Sequence, residues 1–168
     1  TNGSLFVTNA DEGNFYGYDY FTAKYDTDGN LVWGRQFGDT VDPDNTDYPG
    51  AIAVDASGNV YVTGHVSLLK YDSSGNLLRS LTISYFNGGV GLAVDNTSGF
   101  VYMLQNNNFE IRLVKYDLDL NELWVRQTSV WGDEVPTAVA LDAAGNIYLT
   151  GGTMNSLYGT NSGGFDIF

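Results

Sequence analysis

Residues able to do chemistry are few in this sequence. The densest group lies at 39–47, where Asp42, Asp44 and Asp47 offer hard oxygen ligands of the kind calcium gathers. Their spacing is not that of an EF-hand loop, and the competing reading is a solvated acidic loop. The run Asp26-Thr27-Asp28-Gly29-Asn30 also brings two carboxylates together, but its counterpart Asp72-Ser73-Ser74-Gly75-Asn76 lacks the second Asp. It therefore reads as turn chemistry. His65 is the only histidine, and an imidazole in a loop is a candidate general base. No nucleophile or second acid stands at a matching position, which favours a polar loop residue. Nothing has the form of a nucleophile elbow, a zinc motif or a phosphate-binding loop. Calcium is thus the one cofactor these residues suggest, and otherwise none is expected.

Aromatic rings beside amides and carboxylates form the second group. Tyr16, Tyr18, Tyr48, Tyr85, Trp131 and Tyr158, with Phe15 and Phe86, fall in non-repeating segments together with Asn106, Asn107, Asn108, Asp133 and Glu134. Rings supply area and amides supply direction, a combination suited to sugars or protein surfaces. The set Tyr16, Tyr18, Tyr48, His65, Tyr85, Asn107, Trp131 and Tyr158 is the candidate ligand site. Packing between structural units competes for the same rings.

The elements that must hold these residues are set by an internal repeat. Residues 51–64 read AIAVDASGNVYVTG, 91–104 read GLAVDNTSGFVYML and 138–151 read AVALDAAGNIYLTG; NGSLFVTN at 2–9 is a shortened copy. A second motif follows each: YFTAKYDTDGNLVW at 20–33, SLLKYDSSGNLL at 67–78 and RLVKYDLDLNELW at 112–124. Lys24, Lys70 and Lys115 recur at 46 and 45 residues. That period, with strands at 51–54, 59–64, 67–71 and 76–82, predicts a unit of four antiparallel strands, the form of a propeller blade. Asp opens each hairpin because its side chain can accept downstream amide hydrogens, and Gly supplies a positive φ. Tyr25, Tyr71 and Tyr116, with Trp33 and Trp124, recur in register and are expected in the core.

The pattern Asp-x-x-Gly-Asn-[Val/Ile]-Tyr-[Val/Leu]-Thr-Gly, then a variable loop, then [Ala/Leu]-Lys-Tyr-Asp-x-x-Gly-Asn-Leu-x-Trp, resembles the SBBP-type bacterial β-propeller repeat. The resemblance implies an all-β segment of four-stranded antiparallel blades, about three and a half of them, with the ring incomplete in this chain. It also implies a secreted or cell-surface recognition or scaffold module rather than a defined enzyme. The third unit departs from the pattern. It reads Asp117-Leu118-Asp119-Leu120-Asn121, without the hairpin glycine, and has one residue inserted before Gly99-Phe100. The second unit has Arg79 near the place of Trp33 and Trp124. Local loosening is expected at these points.

The repeat divides the chain into blade parts at 1–36, 50–82, 90–127 and 137–168 of a single segment. The opening part lacks its first strand, and the closing part stops as its third begins. Two explanations stand open: an excerpt of a longer propeller, or copies that cover one another's end blades. Within each blade the turns on one face are short and repeated. The connections at 9–19, 64–66, 105–111 and 151–164, and those between blades, vary and share the other face. Binding in repeat proteins concentrates on such a variable face.

Composition narrows the partners. Twenty acidic residues against seven basic ones give a net charge of −13, which repels nucleic acid and anionic membranes. No apolar run is long enough to insert in a membrane. Without cysteine there is no disulfide and no thiolate chemistry. The expected activity is non-catalytic binding, adhesion or assembly, with a protein or carbohydrate on the variable face. The alternative is a lyase or lactonase on a propeller scaffold, using His65 and loop carboxylates.

Overall fold

A computed structural model describes residues 19–38, 48–83, 88–107, 110–128, 134–156, 159–160, 162–164 and 166–168, with the strand backbone of 4–6. Among these residues every regular element is a β-strand. The first sheet runs β1 (Ser4–Phe6), β2 (Tyr20–Tyr25), β3 (Leu31–Phe37), and the second β4 (Pro49–Val54), β5 (Val60–Gly64), β6 (Ser67–Tyr71), β7 (Leu77–Thr82). The third is β8 (Gly89–Asp95), β9 (Phe100–Asn107), β10 (Glu110–Asp117), β11 (Glu122–Gln127). The fourth is β12 (Val135–Leu141), β13 (Ile147–Thr153) and β14 (Asp166–Ile167). Each is an antiparallel meander in sequence order, so the expectation of all-β, four-stranded antiparallel blades holds.

Burial follows from stacking. β5 and β6 are buried at every residue because the second sheet has a neighbour on both faces. Alternation, the usual mark of a strand with one wet face, disappears there. On one side Val60, Val62, Leu69 and Tyr71 pack with Tyr20 and Trp33 of the first sheet. On the other, Tyr61 and Leu68 pack with Leu92, Val101, Met103 and Val114 of the third. The outermost strands β7 and β11 are largely exposed, as the rim of a blade must be. Burial raises the hydroxyl pKa of Tyr71 and Tyr116 to about 12, so both stay neutral in the core.

Two expectations about the core need correction. Trp33, Tyr71 and Tyr116 are buried, but Tyr25 and Trp124 are only half-buried. Tyr71 rests on Trp33 of the preceding sheet, whereas Tyr25 has no preceding sheet to rest on among the described residues. Among the described residues Trp124 lacks the corresponding cover on the following side. Tyr148 is in the same position: it repeats Tyr61, yet Tyr61 is 0% exposed and Tyr148 57%.

The third-unit hairpin also departs from expectation. Leu120 takes the left-handed φ of 60° that glycine takes in the other turns (84° at Gly29, 83° at Gly75). Asp117 still accepts from the amides of Asp119 and Asn121 at 2.9 and 2.8 Å, so the turn is as fully bonded as the rest. The reason is tertiary: the Leu120 side chain is 1% exposed and belongs to the core between the second and third sheets. A left-handed non-glycine residue costs about 1–2 kcal/mol, and truncating a buried leucine roughly 3–5 kcal/mol, so packing outweighs strain. Leu120→Gly is therefore expected to lower stability by about 2 kcal/mol in urea denaturation, although it restores the repeat consensus. An unchanged midpoint would show that Leu120 packing contributes nothing.

Candidate functional site

On the face of short turns, the carboxylates are already engaged. Asp26 accepts from the amides of Asp28 and Asn30 at 3.0 and 2.8 Å and from the Asn30 side chain at 3.0 Å. Asp55, Asp72, Asp117 and Asp142 repeat this geometry with Asn59, Asn76, Asn121 and Asn146. Asp95, in the turn with the inserted residue, accepts from Thr97 and Ser98 instead. Hydrogen bonds from the paired asparagine hold Asp26, Asp72, Asp117 and Asp142 below the usual carboxylate range, and the Ser98 amide does so for Asp95. Tyr61 adds its hydroxyl to Asp55 at 3.1 Å, as Tyr148 does to Asp142 at 3.0 Å. These groups shape turns, and the turn reading of 26–30 is the one the geometry supports.

The opposite face is built where each innermost strand enters and each second strand ends. The His65 amide donates to the Tyr48 carbonyl at 2.9 Å, and the Asn106 amide donates to the Gly88 carbonyl at 3.0 Å. Strand pairing puts His65, Asn106 and Gly152 at one structural position in consecutive sheets. The backbone is conserved in form there while the side chain changes completely. Tyr48 is 58% exposed, and Asn107 ends β9 half-buried.

Glu134 completes this face. It immediately precedes β12, is 0% exposed, and its Oε1 lies 3.4 Å from the Thr153 hydroxyl and 3.5 Å from the Asn155 amide nitrogen. Its Oε2 has no hydrogen-bond partner among the described residues. A buried carboxylate so weakly engaged is costly for stability and is a feature of functional positions. In the sequence Glu134 is one loop acid among several; its burial depends on β12 and β13 meeting, which no local pattern reveals.

Of the sequence-derived site residues, the structure brings Tyr48 and His65 together and sets Asn107 on the next sheet. Tyr16, Tyr18, Tyr85, Trp131 and Tyr158 lie outside the described residues, as do the calcium candidates Asp42, Asp44 and Asp47. Among the described residues no three acidic or histidine side chains cluster closely enough to hold a metal ion.

Comparison with known proteins agrees with the repeat. Residues 32–65 match the SBBP family model, a beta-propeller repeat. The SBBP match begins in β3 and ends just after β5, so it crosses from the rim of one blade into the inner half of the next. Among curated proteins none matches. Among solved structures, the periplasmic gluconolactonase of Pseudomonas aeruginosa aligns with a TM-score of 0.59 and 14% identity, over 90% of this chain and 46% of that one. A proposed 6-phosphogluconolactonase from Bacteroides uniformis aligns with a TM-score of 0.57 and 14% identity, over 92% and 55%. The extracellular domain of a proposed one-component system from B. thetaiotaomicron gives 0.49 and 22%, over 89% and 20%. The chain thus spans about half the length of the two lactonase-type structures, and what it shares with them is the β-propeller fold.

The engaged turn carboxylates set the acid limit of the fold. Their folded pKa values are lowered, so their contribution is complete above the unfolded aspartate value of about 3.9 and is lost as pH falls through the folded values. Urea midpoints are expected to decline steeply below about pH 4, and Asn146→Ala to reduce that slope. Stability that held constant from neutrality to pH 3 would contradict this account.

Proposed function

We propose that this chain is part of an extracytoplasmic, non-catalytic β-propeller that recognises a protein or carbohydrate on its variable-loop face. One observation carries the reading. At a single structural position three successive sheets present His65, Asn106 and Gly152, while the opposite face repeats the same Asp–Asn turn in every described hairpin but that of Asp95. Residues that recur serve the scaffold, and those that differ are available for recognition. Tyr48 offers an exposed ring on that face, and the Glu134 carboxylate is suited to hydroxyl donors. The periplasmic setting of the Pseudomonas structure supports an extracytoplasmic location.

A second reading is a lyase- or lactonase-type enzyme acting through His65 and loop carboxylates, with calcium at Asp42, Asp44 and Asp47. What favours it is that Glu134 brings a solvent-shielded carboxylate to the same face. A glycan array with a protein pull-down, run beside lactone hydrolysis and polysaccharide cleavage with and without calcium, separates the two. Binding that weakens about tenfold, or roughly 1.4 kcal/mol, in Tyr48→Ala or Trp131→Ala is expected, with no turnover. Turnover abolished by His65→Ala would overturn the binding reading and establish the enzyme.

A further inference from the structure

The interface between the second and third sheets is lined differently from the one before it. Cross-strand register gives Arg79 the place of Trp33, opposite Lys70 as Trp33 is opposite Lys24. On the facing sheet Arg112 stands where Ser67 does and Glu122 where Leu77 does, while Tyr116 repeats Tyr71. Between the first two sheets the Trp33 ring fills the space: it is 7% exposed, its centroid lies 6.2 Å from that of Tyr71, and it would meet a Cβ on Gly75 at 2.7 Å. Between the second and third sheets there is no such ring. Leu120 takes the space beside the turn, and a cavity of about 460 Å³ remains, with Arg79, Arg112, Tyr116 and Glu122 among its walls. It lies between two four-stranded sheets stacked directly on one another.

The polar groups of this cavity suit an anion, in a chain that otherwise repels anions. Only seven residues are basic against twenty acidic ones, and two of the seven line this one space. Each guanidinium is anchored through one nitrogen. Arg79 Nη1 donates to the Asp119 carbonyl at 2.5 Å and to the Asn121 side chain at 3.0 Å. Arg112 Nη1 donates to the side chain of Gln105, which is fully buried. Arg112 Nη2 lies 3.8 Å from Glu122 Oε2, an ion pair too long for a hydrogen bond. Among the described residues nothing accepts from Nε or Nη2 of Arg79 or from Nε of Arg112. Anchored guanidinium groups with donors to spare match the planar geometry of a carboxylate. Tyr116 adds to them. It is 4% exposed, and no hydrogen bond engages its hydroxyl among the described residues. Burial keeps that hydroxyl protonated, so it has a hydrogen to donate.

We propose that this cavity is a binding site for a singly charged, hydroxyl-bearing carboxylate of the uronic-acid type, its carboxylate held by Arg79, Arg112 and the Tyr116 hydroxyl. Charge selects a monoanion. Two guanidinium groups against the Glu122 carboxylate leave one positive charge, which one carboxylate neutralises. A phosphate dianion would exceed it and stand beside Glu122. Hydroxyl groups on the ligand are called for by Glu122 itself, whose side chain is 52% exposed and can accept from them. Leu81 and Ile83 supply an apolar wall for the C–H face of a ring. The volume falls within the roughly 300–1,000 Å³ usual for small-molecule sites. The site opens between blades near the rim strands β7 and β11, so it goes beyond recognition at the variable-loop face and does not depend on it.

Titration calorimetry of the chain with glucuronate, glucose and inorganic phosphate tests this. Saturable binding of glucuronate is expected, at least tenfold tighter than that of glucose or phosphate. Arg112→Gln and Tyr116→Phe are each expected to weaken it at least tenfold. Arg79→Trp combined with Leu120→Gly rebuilds the ring-filled interface of the first two sheets, and is expected to abolish binding in a chain that circular dichroism shows to be folded. Arg126→Gln, an exposed arginine outside the cavity, is expected to leave binding unchanged. Absence of glucuronate binding, equal binding of glucose or phosphate, or equal loss with Arg126→Gln would overturn the proposal. So would full binding by the folded double variant. A ligand at the variable-loop face would be untouched by that double variant, so the recognition reading stands or falls separately.

Discussion

In each hairpin turn of the regular form an aspartate carboxylate gathers two backbone amides and an asparagine side chain, and the rest of the structure is organised around what this leaves over. With its amide hydrogens satisfied from within, the turn presents carbonyl oxygens outward in a fixed array. Those carbonyls are what the lysine, tryptophan and arginine of the preceding blade bind. The same local interaction that closes a hairpin thereby sets the distance and angle at which blades stack. Stacking in turn covers the aromatic faces that no single four-stranded sheet could bury alone.

That economy separates the molecule into two faces. On the turn face, the aspartates that open the turns are engaged by backbone amides and, in the regular turns, by a paired asparagine. On the other, the backbone keeps a repeated hydrogen bond from the second-strand end to the innermost-strand entry while its side chains vary freely. The residues that recur therefore serve the scaffold, and those that differ lie on the opposite face of the same repeat. Glu134 lies on that second face, buried, with Oε1 held by Thr153 and Asn155 and Oε2 without a hydrogen-bond partner among the described residues.

The blade interfaces show how departures from a repeat remain compatible with it. Arg79 in place of tryptophan and Leu120 in place of glycine look like separate blemishes along the chain. Across the interface they are one compensated change, with leucine volume filling the space the ring leaves and the guanidinium keeping the bonds to the turn. Interfaces of this kind discriminate between neighbouring repeats, because a ring over leucine would clash and an arginine over glycine would leave a void.

Much of the fold was legible in the sequence because its determinants are local. Strand and turn positions follow from Asp-x-x-Gly-Asn, whose hydrogen bonds span only four residues, and the blade follows from their recurrence in phase. The candidate site was legible only in outline. Tyr48 beside His65 could be placed on the variable face, but nothing near Glu134 in sequence foretells its burial. The half-burial of Tyr25 and Trp124, against the near-complete burial of Tyr71 and Trp33, was likewise beyond reach, since the same residues in the same motif differ, among the described residues, in whether another sheet lies against them. The sequence alone determined the repeating unit and its turns, which depend on contacts a few residues apart. Tertiary structure decided which repeated residues become core and which become surface, because that depends on a neighbouring blade about 45 residues away and on whether it is there to cover them.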